Sequence, residues 1–295
     1  MKISVAGTVN RDTIIGLDGK RCESFGGIIY NTIALAALCP DHTVLPVAYC
    51  GSDCRDELRS LLSRFPNIDF SGLIDWGNGY NENFLRYIDA DRREETLKVN
   101  VPPMGFDALK VCLQSDLVML NFVSGFDVGL CAAKELRSAF RKGIYMDVHS
   151  LTLGIDSRGA RFERVVGEWR EWAHCADIIQ MNRREAGLFT GSGDSVEELS
   201  RLICCEGPEI CLVTLGKEGV LVTESTQGKI VQEWIEGIPV DVKDTTGCGD
   251  VFSAGYVCSF IRGRDPFESA RQANMAAAKC CESVGSGNLE EVILC

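Results

Sequence analysis

The chain has 295 residues, 45% of them hydrophobic, enough to bury a full core in one large domain or two modest ones. Its 30 Lys and Arg against 42 Asp and Glu leave a formal charge of −12 with no basic run, which argues against nucleic acid or an anionic membrane surface as a partner. No stretch of eighteen uncharged apolar residues occurs, and the opening MKISVAGTVNRD reads as a strand entering a turn rather than a signal peptide, so a soluble cytoplasmic protein is expected.

In chain order, the short apolar run Lys2–Ala6 suits a buried strand. Asp12–Phe25 breaks the pattern and reads as hairpin-like, and Ile28–Leu38 then carries apolar residues at helical spacing. Val44–Tyr49 is a second buried strand. Tyr80–Val99 alternates apolar and polar residues on either side of a polar turn at Asp89–Arg93, a second hairpin. Asp116–Asn121, Ile144–Val148, Asp177–Met181 and Ile210–Thr214 are further strands, with helical spacing over Leu130–Arg141 and Val196–Cys204 between them. Ser195 and Glu198 form a capping box for the latter. This alternation predicts an α/β fold, a doubly wound and mostly parallel sheet flanked by helices. The whole of 1–295 reads as one domain, with lid strands inserted at about 12–25 and 80–99 that form a small β lid over one edge of the sheet. The exposed edges of such a lid could be covered by pairing, which allows a homodimer through it.

Fifteen cysteines are many, yet none are spaced as C-x-x-C, and most stand in apolar surroundings where cysteine behaves as a small hydrophobe. Zinc is not suggested, and free thiols fit a cytoplasmic redox poise. His42, His149 and His174 are scattered, with no other ligands in evidence for a histidine-based metal site.

The most informative segment is Asp244-Thr-Thr-Gly-Cys-Gly-Asp250, followed by the helical VFSAGYVCSFIRG. Its glycines let the backbone N–H groups of Gly247, Cys248 and Gly249 turn towards one point, and the helix dipole adds partial positive charge there, the makings of an anion site. Asp250 in the first turn would face the same point and could take a proton from an attacking hydroxyl. The bland alternative is a first-turn carboxylate worth ~0.3–1 kcal/mol above an ordinary turn. A dinucleotide reading of Ala6-Gly7-Thr8-Val9 fails, because the remaining glycines of that fingerprint are missing.

This segment resembles the C-terminal signature D-T-x-G-x-G-D of the ribokinase (PfkB) family, and other family elements follow in the same order over nearly the whole chain. Ser24-Phe-Gly26-Gly27-Ile-Ile-Tyr-Asn31 is similar to the family's paired glycines leading to an asparagine, and Gly7-Thr-Val-Asn10-Arg-Asp12 to its strand-end aspartate. The resemblance implies that Asp12, Gly26, Gly27 and Asn31 hold substrate hydroxyls. Asn182-Arg-Arg-Glu185 looks like the family's N-x-x-E element, which implies that Glu185 reaches Mg²⁺ through bound waters and that Asn182 borders the phosphates. Thr214-Leu-Gly216-Lys-Glu-Gly219 resembles the nucleotide loop T-x-G-x-x-G, and Asn274 corresponds to a position bordering the adenine of ATP.

The resemblance therefore implies a ribokinase-like fold and an ATP-dependent carbohydrate kinase: ATP across the loops after Thr214 and Gly247, a primary hydroxyl held near Asp12, Gly27 and Asn31, and Asp250 as base. A monovalent cation using oxygens around Asp244 and Thr246 belongs to the same pattern, although its C-terminal half is not legible in Gly285-Ser-Gly-Asn288. Two departures leave the acceptor open among sugars, nucleosides and cyclitols. Gly51-Ser-Asp53-Cys lacks a further glycine, and the residues after Asp147 in MDVHSL diverge from sugar kinases. Arg92 and Arg93 read better as solvated surface than as contacts to a sugar phosphate. The competing class is a kinase-like fold that senses a ligand without turnover.

Overall fold

A computed structural model describes residues 1–77, 79–88 and 93–282. Most of the turn Asp89–Arg93, Arg92 included, and the segment Gly285–Asn288 lie outside the described residues. In chain order the strands begin with β1 Lys2–Ala6, β2 Val9–Ile15, β3 Arg21–Gly27, β4 Thr43–Cys50, β5 Leu73–Asp75, β6 Asn81–Tyr87, β7 Arg93–Lys98 and β8 Leu117–Asn121. They continue with β9 Gly143–Asp147, β10 Leu153–Ile155, β11 Arg161–Glu163, β12 Ile178–Asn182, β13 Ile210–Thr214, β14 Gly219–Thr226 and β15 Lys229–Glu236. The helices are α1 Ile29–Leu38, α2 Ser52–Leu62, α3 Phe106–Leu109, α4 Leu130–Ala139, α5 Trp169–Ala173, α6 Arg183–Thr190, α7 Val196–Cys205, α8 Cys248–Gly263 and α9 Pro266–Cys281.

Nine strands form the main sheet in the order β15-β14-β13-β12-β9-β8-β1-β4-β5. From β5 to β13 all neighbours are parallel, and β14 and β15 close one edge antiparallel. Both faces are covered, so successive residues of a strand feed opposite cores. Ile3 and Val5 of β1 join the layer under α1, α8 and α9, and Val118 and Leu120 of β8 join the layer under α4, α5 and α7. The apolar runs expected to be strands occupy this sheet. The Ser195–Glu198 capping box is present at α7, and Asn182 with Glu185 makes a second one at α6.

The two hairpins form a separate four-stranded sheet, β3-β2-β6-β7. They join through a parallel pairing of β2 with β6, which sets Asp12 opposite Ser24 on one side and Asn83 on the other. That pairing was not legible in the sequence, since the two partners lie some seventy residues apart. The expectation that all thiols are free is corrected at one place. Cys39, at the end of α1, and Cys258, inside α8, are disulfide-bonded, because these packed helices bring their Cα atoms to 6.0 Å. Among the described residues no helix is long and apolar enough to cross a membrane.

Candidate active site

In an open parallel sheet, ligands bind outside the carboxyl ends of the strands, where connections leave in opposite directions. Here the chain leaves β1 for β4 on one side and returns to β8 on the other. A cleft of about 600 Å³ opens at that edge, between the strand ends and the small sheet, and Asn10, Asp12, Asp147, His149, Glu185 and Asp250 are among the residues lining it. Asn121, Asp147, Asn182 and Thr214 are the last residues of β8, β9, β12 and β13, so parallel registration alone lines up four polar side chains along the rim.

Asp250 is held by a network that reaches across three elements. Its Oδ1 accepts from Asn121 Nδ2 at 2.7 Å, and its backbone oxygen accepts from Asn31 Nδ2 at 3.0 Å and from Ser253 Oγ at 2.7 Å. Asn121 Nδ2 also donates to Asn31 Oδ1, and Asn31 Nδ2 to Ser253 Oγ at 2.7 Å. Burial pushes the Asp250 carboxyl above the usual range, partly offset by the charge of His149 and the bond from Asn121.

A second network lies beside the first. Gln180 Nε2 donates to Asp147 Oδ2 at 2.9 Å and to the backbone oxygen of Gly249 at 3.1 Å, while its Oε1 accepts from the Tyr145 hydroxyl. Burial lifts Asp147 well above the carboxylate range; His149 pulls it back, and Asp250 and Glu185 add to the lift. His149 Nδ1 is 3.5 Å from Glu185 Oε1. It lines the cleft with 45% of its side chain exposed. Burial would disfavour the imidazolium, but the bond and charge of Glu185, with Asp147 and Asp250, outweigh it and raise His149 to about 9. Its backbone φ of +30° is uncommon for a non-glycine residue and is a conformation that recurs at functional sites. His149 thus stands among three acidic side chains, those of Asp147, Glu185 and Asp250.

The start of α8 carries no side-chain cap. Gly247 sits there at φ +77°, and a Cβ would come within 2.3 Å of the Tyr30 ring, so only glycine allows the turn to close against α1. Gly247 and Gly249 line the cleft. Cys248 N–H donates to Thr245 O at 3.3 Å, and its sulfur turns away towards Cys281.

On the opposite wall, Asn10, Asp12 and Asn83 project from the small sheet and are almost fully buried. The Oδ1 atoms of Asn10, Asn83 and Asn121 are buried without a protein hydrogen-bond partner among the described residues. Gly26 serves Asp12 by its lack of a side chain, since a Cβ there would lie 1.8 Å from Asp12 Oδ2. Gly27 lines the cleft itself.

Several expected contacts fall elsewhere. Asn31 is fully buried and spends its amide on Asp250, Ser253 and Asn121, so it does not line the cleft as an acceptor-binding group would; the packing of α1 on α8 turns it towards Asp250. Thr214 and Gly216 line the cleft, but Gly219 does not: at φ +108° it is the turn into β14, packed against Ile235 O. Asn274 is likewise outside the lining and donates to Glu236 O at 3.2 Å. Asn182 spends its side chain capping α6, accepting from Glu185 N at 2.9 Å. Asn121, Gln180 and His149 were missed. Each belongs to a strand end or to the turn just after one, and the position of His149, two residues after Asp147, was the one available signal.

A doubly wound sheet with an acidic cleft at its switch point and a carboxylate beside an uncapped helix start places the chain among the open α/β folds that bind ligands at the strand ends. Residues 155–292 match the pfkB family carbohydrate kinase. An uncharacterized sugar kinase of Archaeoglobus fulgidus is 33% identical over 125 residues, 42% of this chain and 47% of that protein. Alignments span 38–51% of the length of the first three curated relatives matched. A pyrophosphate-dependent kinase in the ribokinase family, solved with sulfate, superposes with a TM-score of 0.81 at 19% identity over 99% of both chains. Ribokinase of Arabidopsis thaliana, complexed with ribose and ATP, gives 0.76 at 20% identity over 99% of this chain and 97% of that one. Residues 155–292 are thus similar to the pfkB family carbohydrate kinase, and the fold of the chain is ribokinase-like.

Proposed function

We propose that the chain is a carbohydrate kinase that transfers a phosphoryl group from ATP to a hydroxyl of a neutral polyol. The observation that carries this reading is Asp250, half-buried in the lining of the cleft, bonded to Asn121 and in the first turn of a helix whose start has no side-chain cap. Asp250 accepts the proton as the acceptor oxygen attacks the transferring phosphorus and the bond to the leaving phosphate oxygen breaks. The backbone N–H groups of Gly247 and Gly249 stabilise the charge that develops there, while that of Cys248 is held by Thr245 O. Gln180 supports that turn from below through Gly249 O.

Acceptor recognition rests on Asn10, Asp12, Asn83 and Gly27. Carboxamide oxygens and a carboxylate accept hydrogen bonds from hydroxyls and repel a phosphorylated substrate, which supports a free sugar, nucleoside or cyclitol. The small sheet then acts as the lid that excludes water from the transfer. The donor set also suits Mg²⁺, which takes one or two carboxylates and completes its shell with water and phosphate. Glu185, with Asp147 behind it, would hold the ion, and the crowding of Asp147, Glu185 and Asp250 is the charge excess such an ion relieves. When bound, it would neutralise phosphate charge. Whether a monovalent cation joins it near Asp244 and Thr246, and whether lids pair into a homodimer, belong to the same reading.

Pyrophosphate is a second donor reading, because Gly219 and Asn274 stand outside the cleft lining while Gly247 and Gly249 are within it. The test is Mg²⁺-dependent transfer from ATP or pyrophosphate to a panel of sugars, nucleosides and cyclitols, with Asp250→Asn alongside. Turnover with one acceptor, reduced on the order of 10²–10⁴-fold in the variant, is expected. Equal rates in both proteins would remove Asp250 from its role, and tight ATP binding without turnover would favour a ligand sensor.

A further inference from the structure

The turn that precedes α8 is tethered at both ends to one residue, Cys281, the last of α9. At its start, Cys281 O accepts from Lys243 N at 2.8 Å and from Asp244 N at 3.3 Å. At its end, Cys248 Sγ lies 3.0 Å from Cys281 Sγ. Cys280 stands next to the pair, its sulfur 4.0 Å from Thr246 O, but it is buried, whereas Cys248 and Cys281 are both partly exposed.

We propose that Cys248 and Cys281 are a reversible thiol–disulfide switch on the anion-binding turn, oxidised by hydroperoxides. The inference rests on the proposed function for its consequence and on the sulfur geometry for its chemistry. The hydrogen bond from Cys248 lowers the Cys281 thiol to about 7, which makes Cys281 the sulfur that reacts first. Its thiolate attacks one oxygen of the hydroperoxide, the O–O bond breaks, and the other oxygen leaves as water or an alcohol, giving a sulfenic acid at Cys281. Cys248 sulfur then attacks Cys281 sulfur, and the displaced hydroxide takes the Cys248 proton and departs as water. Two thiols have lost two electrons and the peroxide has gained them. A thiol reductant reverses the bond by exchange.

A disulfide needs its sulfurs at about 2.05 Å, so closure draws the first residue of α8 towards α9 by up to about 1 Å. Cys248 stands between Gly247 and Gly249, whose backbone lines the cleft and is assigned to the developing charge, so its displacement moves both. A misplacement of that size costs on the order of 10²-fold in rate.

The experiment compares the full-length wild type with Cys281→Ser and Cys280→Ser, each reduced, treated with hydrogen peroxide, and reduced again with dithiothreitol. Phosphoryl transfer is assayed at each stage and disulfides are mapped by peptide mass spectrometry. Expected are a Cys248–Cys281 bridge and a loss of turnover on the order of 100-fold in oxidised wild type and Cys280→Ser, restored by dithiothreitol. Cys281→Ser should keep its reduced rate after peroxide. A mapped bridge with unchanged turnover, a bridge to Cys280 instead, no bridge, or equal loss in Cys281→Ser would each overturn the switch. If reduced wild type transfers phosphate to no acceptor, the functional reading fails separately. The switch is then judged by calorimetric binding of inorganic pyrophosphate, and equal affinity in the oxidised and reduced states would overturn it.

Discussion

The two walls of the cleft are built from the same kinds of side chain, yet they differ in how far those side chains are bonded to the protein. Behind the main-sheet wall, Asn31 with Asn121 and Gln180 with Asp147 form two bonded groups that reach Ser253 and the backbone around Asp250, and of these side chains Asn121 Oδ1 is the oxygen without a protein partner among the described residues. On the small-sheet wall, Asn10 and Asn83 keep buried oxygens without protein partners among the described residues. A satisfied polar network is rigid and orients what it holds, whereas an unsatisfied buried oxygen is maintained against a penalty of about 1–3 kcal/mol and gains when a hydroxyl arrives. The contrast assigns preorganised chemistry to one wall and recognition to the other.

Asn121→Leu should have the largest effect on stability. It removes the donor shared by Asp250 and Asn31 and leaves two buried oxygens without it, so unfolding should become easier by about 2–4 kcal/mol, read as a lower urea midpoint at unchanged slope, together with a fall in kcat. A stability unchanged from wild type would break the contrast.

Asn83→Leu tests the other wall. The acceptor KM should rise on the order of tenfold, equivalent to about 1.4 kcal/mol, while the melting temperature holds or rises slightly because an unpartnered oxygen is gone. Destabilisation as large as that of Asn121→Leu would show that the two walls are not different in kind.

The smallest effect is expected far from both walls. Lys2 Nζ donates to Asp69 Oδ2 at 2.9 Å and holds that carboxyl down at about 2, below its ordinary 3.8. A depressed carboxylate contributes stability above its unfolded value and loses it as pH falls through the folded one. Asp69→Asn should therefore cost about 0.5 kcal/mol at neutral pH, with the difference from wild type vanishing between about pH 4 and 2 and kcat untouched.

Much of this was legible without tertiary contacts. Local apolar runs are strands wherever both faces are covered, which is why Lys2–Ala6 and Ile210–Thr214 form strands with the boundaries expected of them. The turn and helix start at Asp244–Asp250 are equally local, because glycine placement and helix polarity are properties of the segment itself. Partner choice is not local. Asn31 belongs to a segment that suits substrate binding, and the packing of α1 on α8 sends its amide to Asp250 instead. Asn121, Gln180 and His149 carry no motif of their own, and strand order β12-β9-β8-β1 gathers them at one edge. The parallel pairing of β2 with β6 likewise sets Asn83 beside Asp12. The sequence by itself determined the elements, their alternation and the place of the candidate base. Only the tertiary structure decided which polar groups are already bonded and which face the cleft, because that depends on pairings between residues far apart in the chain, whose energies no local pattern encodes.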